Sequence, residues 1–422
     1  MPAISSSWQE QTRIWLRRLA FSLPLLSLTY LLRFHIAGLP STVLELVVWI
    51  FLVGVLLVNG RAGLARAHGL LWTWRFAIMA WLLATLVAVG VSPSLWTGLG
   101  LWRAYVLEPL LVLVALCALL DQPGDRRRME QGMMVAGIVV SLWAIVGYLG
   151  NWGIPKPWNV ALTAGRRAVG PFGFPNAVAL FLAPIGALAM AKFCALKARM
   201  DLNTKTDWKT VGLYLVTTIL SILALLAARS EGGLLAFAVV TLCSLLGLRR
   251  GRWLIVIGAV IAAVVLITVP VVRYALVHEI TFQGWSGKVR LIMWRETWTM
   301  LKDHWFFGAG FGGYPTVFNA YHKARFIEIF QYPHNILLNF WSETGLLGIA
   351  AFVSVAVSWF KNASKPISSH RYSSILVLVA PLIAILVHGL VDVPYFKNDL
   401  ALWFWLFAWL VIAVRYETDR LA

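Results

Sequence analysis

The sequence predicts an all-α polytopic membrane protein with about 12 transmembrane helices. Three observations predict it. The 422 residues are 60% hydrophobic and only 13% charged, too few charges to coat a soluble protein of this size. Apolar runs of about 20 residues, the length that crosses a bilayer, recur along the whole chain. Lys and Arg then fall alternately about these runs in the way that fixes membrane orientation.

In chain order the expected spans are 17–36, 40–58, 73–91, 104–120, 132–150, 175–195, 210–228, 232–248, 253–272, 335–359, 374–393 and 399–415. The first carries Arg33 near its far end and no small-residue cleavage site follows, so it reads as retained. Cys117, Cys194 and Cys243 all fall inside spans, which argues against a disulfide framework. The chain therefore reads as one integral-membrane domain, 1–422, with 273–334 inserted as a long outer loop between the ninth and tenth spans.

Orientation follows from the basic clusters. Arg13/Arg17/Arg18, Arg61/Arg66/Arg75, Arg126/Arg127/Arg128, Lys192/Lys197/Arg199/Lys205/Lys209, Arg249/Arg250/Arg252, Lys361/Lys365/Arg371 and Arg415/Arg420 all lie on one side, with both termini. That side is expected to be cytoplasmic. The net charge of +18 is then met by anionic membrane lipids, and no nucleic-acid partner is needed. Cations on the opposite side have no such topological reason.

Two outer segments are long enough to carry function. Residues 151–174 are rich in Gly and Pro. In the 273–334 loop, Leu291, Trp294, Trp298, Leu301 and Trp305 recur at helical spacing, with Lys288, Arg295 and Lys302 beside them. This pattern fits a helix lying on the membrane surface, or one packed on the bundle. "FGAGFGGYP" (Phe307 to Pro315) is a glycine turn whose amides are candidates for a phosphate.

Familiar catalytic patterns are missing. "HEITF" at His278 lacks the second histidine of a zinc protease, "GWSGK" lacks P-loop spacing, and no Asp-x-Asp pair occurs. The eight histidines show no ligand spacing, so no metal or other cofactor is expected. What remains on the outer side is a set of cations: Arg103, Arg166, Arg167, Arg229 and Arg290. Converging arginines suit a lipid-borne phosphate or pyrophosphate, although Arg229 with Glu231 and Arg103 with Glu108 also read as structural pairs. His334 stands at the mouth of the tenth span, between Pro333 and the helix-starting Asn335. There the helix dipole favours a neutral ring able to accept a proton; a helix-anchoring histidine is the other reading.

"RAVGPFGFPN" (Arg167 to Asn176), "ARSEGGLLAF" (Ala228 to Phe237), "VRLIMWRETWTMLKDHWFFGAGFGGY" (Val289 to Tyr314), "PHNILLNFWSETGLLG" (Pro333 to Gly348) and "HGLVDVP" (His388 to Pro394) resemble, in this order, the O-antigen ligase superfamily. That group holds lipopolysaccharide O-antigen ligases, related polymerases and protein O-oligosaccharyltransferases. The family often has Ser-Arg before its glycines in the seventh-to-eighth turn, whereas here Arg229 follows Ala228 and precedes Ser230 and Glu231. The resemblance implies a GT-C-like glycosyltransferase of a bacterial inner membrane with a periplasmic site. It implies a donor glycan on undecaprenyl diphosphate and a lipid A-core sugar hydroxyl as acceptor. The expected roles are His334 as catalytic base and Arg167, Arg229 and Arg290 on the diphosphate, with Asp392, Asn335, Arg103 and Arg166 in support. A polymerase or protein O-oligosaccharyltransferase would share this donor, whereas a flippase or transporter would be expected to show paired repeats, and none is visible.

Overall fold

Helices take up nearly all the apolar runs in the computed structural model, which describes residues 2–36, 39–162, 165–200, 207–248, 250–364 and 371–419. Lys205, Arg249, Lys365 and Arg420 of the basic clusters lie outside the described residues. The helices are α1 Pro2–Leu26, α2 Val43–Leu71, α3 Arg75–Gly90, α4 Leu95–Trp102, α5 Glu108–Leu119, α6 Asp125–Gly150, α7 Pro175–Met200 and α8 Trp208–Ala228. They continue with α9 Glu231–Leu246, α10 Gly251–Thr268, α11 Pro270–Ile280, α12 Trp285–Asp303, α13 Tyr314–Phe318, α14 Ile336–Ala363, α15 Arg371–His388 and α16 Asn398–Asp419. Among the described residues, eight helical segments are long and apolar enough to cross a membrane, Val43–Gly90 counting as one, and Glu231–Leu246 and Ile375–His388 are shorter apolar helices. The chain is a polytopic, helical membrane protein.

One expected span ends early. The 17–36 run is α-helical only to Leu26, tightens into a 3-10 helix over Ser27–Leu31, and then β1 (Arg33–Ile36) pairs antiparallel with β2 (Leu39–Thr42), Arg33 opposite Thr42. The reason is legible in hindsight: Arg33 and His35 alternate with Phe34 and Ile36 at the strand period, and Pro40 bars a helix from continuing. Arg33 thereby leaves the span and turns toward the outer cavity described below.

The bundle centres on α7, which packs against α8, α9 and α15, while α2 packs on α5 and α3 on α14. α16 is almost wholly buried and α10 almost wholly exposed. At one end of the bundle Glu45 joins three helices: its carboxylate accepts from Ser41 Oγ (2.7 Å), Arg103 (2.5 Å) and Asn398 Nδ2 (2.8 Å). Arg103 also lies 3.4 Å from Glu108. The next turn, Arg103–Leu107, is π-helical, a local widening of the kind that recurs at functional sites; it brings Tyr105 to the cavity wall.

α14 is kinked where the glycine turn docks. Leu346 N donates to Phe306 O (3.0 Å) and Ala309 N to Ser342 O (2.6 Å), so the turn takes over hydrogen bonds of an interrupted helix. Gly345 has φ 65° and ψ −169°, and a Cβ there would stand 2.1 Å from Phe306 O. Gly345→Ala is therefore expected to cost more than about 1 kcal/mol of stability. Thermal unfolding in detergent checks this; a melting temperature equal to wild type would contradict the close approach.

Candidate active site

His334 is fixed by its neighbours before its ring is considered. Trp294 Nε1 donates to Pro333 O (2.8 Å), Ile336 N to Gly389 O (2.7 Å), and Asn335 Nδ2 to Leu390 O (2.9 Å). Asn335 also caps α14, its Oδ1 accepting from the amides of Leu337 and Leu338 at 3.0 Å. Between these anchors His334 has φ 48°. A non-glycine residue holds this left-handed conformation only where its surroundings impose it, and such residues cluster at functional sites. Arg229, at the end of α8, has the same φ of 48°.

The ring packs edge-on against Phe330 and Tyr332, and its Nδ1 lies 3.1 Å from Asp392 Oδ1. An ionised carboxylate only accepts, so Nδ1 carries the hydrogen and Nε2 is left with the lone pair of the neutral ring. Asp392 is buried, and burial alone would raise its pKa. The hydrogen bond from His334, the charges of His334 and His388 and the amide of Val393 outweigh that and bring it down to about 2. Its other oxygen accepts from Asn176 Nδ2 (3.1 Å), and Asn176 Oδ1 in turn accepts from Arg167 (3.2 Å). One hydrogen-bonded chain thus runs from Arg167 through Asn176 and Asp392 to His334.

Arg167 also closes the end of α8: its Nε donates to Ala228 O (2.9 Å) and its Nη2 to Arg229 O (3.2 Å), a cation on the negative end of a helix. Burial depresses the Arg167 pKa, Glu231 opposes this, and the like charges of Arg229 and Arg290 add to the depression. Arg229 and Arg290 thus act on Arg167 through their charge, a concentration of positive charge that an anion would relieve. Arg290 also lies in the field acting on His388, together with Asp392, which ties the cluster to the histidine side. Glu231 faces Glu279, Arg290 and Arg167; no ion pair joins it to Arg229 among the described residues.

A cavity of about 670 Å³ opens beside this chain. Arg167, Asn176, His334 and Asp392 line it, with Tyr105, Phe311, Tyr332 and Phe396 as aromatic wall. Arg33, Lys397, Asn339 and Glu343 also face it, none of which the sequence reading had assigned. Asn176 was likewise visible only as the last letter of a matching stretch.

Other expected residues are engaged elsewhere. Arg103 is held by Glu45 and Glu108, as in the structural-pair reading, and Arg166 donates to Val160 O (2.8 Å) and Tyr148 O (2.9 Å). Neither lines the cavity, and of the three arginines expected on the diphosphate only Arg167 does, Arg229 and Arg290 lying outside its lining. The glycine turn commits most of its amides to protein acceptors and not to a phosphate: Ala309 N serves Ser342 O, Phe311 N serves Ala88 O (3.0 Å), and Gly312 N serves the Glu343 carboxyl group. Nor is the Trp stripe of α12 its packing face. Val289, Met293, Thr297, Met300 and Leu301 are buried, whereas Leu291, Trp298 and Trp305 are exposed beside Lys288, Arg295 and Lys302. The stripe is therefore split: Leu301 is buried and Trp294 half-buried against Pro333, whereas Leu291 and Trp298 face outward.

Residues 216–353 match the O-antigen ligase family model. Over this stretch the protein is similar to the O-antigen ligase family. No curated protein matches it. The matched stretch holds Arg229, Arg290 and His334, while Arg167, Asn176 and Asp392 lie outside it. The match points to a glycosyltransferase-like enzyme of glycan processing, with a lipid-linked glycan and an acceptor as general substrates.

The ionised Asp392 has a pKa lowered from 3.8 to about 2, so its contribution to stability is complete above the unfolded value and lost as pH falls through the folded one. The difference in melting temperature between wild type and Asp392→Asn is expected to be constant above pH 4 and to shrink toward about pH 2. A difference independent of pH over that window would contradict an ionised carboxylate.

Proposed function

We propose that this protein is an O-antigen ligase, transferring a glycan from undecaprenyl diphosphate to a sugar hydroxyl of lipid A-core. The observation that carries this reading is the hydrogen-bonded chain from Arg167 through Asn176 and Asp392 to His334 along one cavity, with the charges of Arg229 and Arg290 acting on Arg167. The protein would sit in a bacterial inner membrane as a GT-C-like bundle of about 12 spans, with both termini cytoplasmic. Its 273–334 loop and its site would face the periplasm.

The chemistry follows from the two halves of the site. His334 Nε2 takes the proton of the acceptor hydroxyl, whose oxygen forms a bond to the anomeric carbon of the donor. The bond from that carbon to the diphosphate breaks, and undecaprenyl diphosphate leaves with the electron pair. The leaving group gains negative charge and needs no proton, so fixed guanidinium groups stabilise the transition state without a metal ion. Attack opposite the leaving group inverts the anomeric centre. Asp392 holds the histidine in the tautomer that the step requires and stabilises the imidazolium that forms.

Purified protein, lipid-linked glycan and lipid A-core, combined in vesicles with a chelator, test the reading. Wild type is expected to give a ladder of modified lipopolysaccharide. His334→Ala should reduce transfer by about 100- to 10,000-fold with donor binding retained, and Arg290→Ala should weaken donor binding and transfer together. Activity toward a second lipid-linked glycan, or toward a pilin-like protein, but not lipid A-core would make the protein a polymerase or a protein O-oligosaccharyltransferase.

A further inference from the structure

Beyond His334 the cavity continues along α14 to a floor that is polar within an apolar helix. Asn339 is 1% exposed and lines the cavity, yet neither its carboxamide oxygen nor its nitrogen has a hydrogen-bond partner among the described residues. Buried carboxamides are ordinarily paired, and one that is not calls for an explanation. Glu343, one turn further on the same face, is 6% exposed and also lines the cavity, its carboxyl held by the amides of Gly312 and Tyr314. At about 1.5 Å per residue, Asn339 and Glu343 lie about 6 Å and 12 Å along the helix from Asn335. They are therefore successive rungs leading inward from the proposed base.

The surroundings specify the ligand class. A carboxamide both donates and accepts, and a carboxyl group accepts; neither of these two side chains offers positive charge to a phosphate, while Arg33, Arg167 and Lys397 line other parts of the same cavity. Tyr105, Phe311 and Phe396 stand around the same space, with ring centroids 5.7 to 6.5 Å apart. Polar groups facing hydroxyls and ring faces meeting C–H surfaces fit a neutral pyranose. We infer that Asn339 and Glu343 form a saccharide subsite that grips the acceptor sugar by hydroxyls neighbouring the one deprotonated at His334. This inference rests on the transfer reading above, and it assigns acceptor selectivity to the first turns of α14.

Asn339→Leu keeps the side-chain size and removes every hydrogen bond, leaving the Glu343 anchor of the glycine turn intact. Binding of lipid A-core to the full-length protein in detergent, measured alongside vesicle transfer, reads the effect. The expected result is roughly 10- to 100-fold weaker acceptor binding and a matching rise in acceptor KM, with donor KM within about twofold of wild type. An acceptor analogue lacking the neighbouring hydroxyl should lose affinity for wild type and no further affinity for Asn339→Leu, a non-additivity that a merely structural role would not produce. Equal acceptor binding by wild type and a folded Asn339→Leu variant, or a rise in donor KM instead, overturns the subsite while the transfer reading stands. Wild type that neither binds nor modifies lipid A-core overturns both.

Discussion

The buried carboxylate of Asp392 is the point on which the site depends. Its two oxygens hold two groups from distant parts of the chain, His334 Nδ1 and Asn176 Nδ2, together with the neighbouring amide of Val393. A carboxylate in a buried site is tolerated only when it is paired and hydrogen-bonded, so each of these partners is needed for the charge to stay. In return the carboxylate fixes which nitrogen of His334 is free. Through Asn176 it also joins the histidine to Arg167, which caps α8 and stands in the field of Arg229 and Arg290.

That linkage explains why the anion-binding and proton-accepting halves come from sequence-distant segments. Arg167 precedes α7, Arg229 ends α8, Arg290 lies in α12 and His334 precedes α14. Each is held by backbone or capping contacts rather than by a flexible loop tip. Two of them, Arg229 and His334, adopt left-handed backbone, so stability is given up locally to aim the side chain. The glycine turn from Phe307 contributes indirectly, by docking into the kink at Gly345 and holding Glu343 against the cavity.

Much of this was legible in the sequence, for physical reasons that differ from residue to residue. The helices follow from apolar run length, and His334 and Asn335 from the proline and cap chemistry around a helix start. The arginines stood out as outer cations that charge topology does not require. Arg103 and Arg166 looked the same, because a sequence shows a cation but not the carboxylate or carbonyl that occupies it. Asn176, Asn339 and Glu343 were hidden for the opposite reason: a single polar residue in an apolar run carries no sign of whether it meets a partner, a cavity or lipid. The hairpin at Arg33 was averaged into an apolar window, and the face of α12 stayed open between surface and bundle because tryptophans mark a membrane surface as readily as a core.

The most direct measurement is a structure of the protein in lipid nanodiscs with undecaprenyl diphosphate bound. The diphosphate is expected among the guanidinium groups of Arg167, Arg229 and Arg290, on the Arg167 side of the cavity, with the His334–Asp392 hydrogen bond intact. A diphosphate seated elsewhere on the outer face, with the three arginines turned to protein partners alone, would contradict the assignment of this cluster to the leaving group.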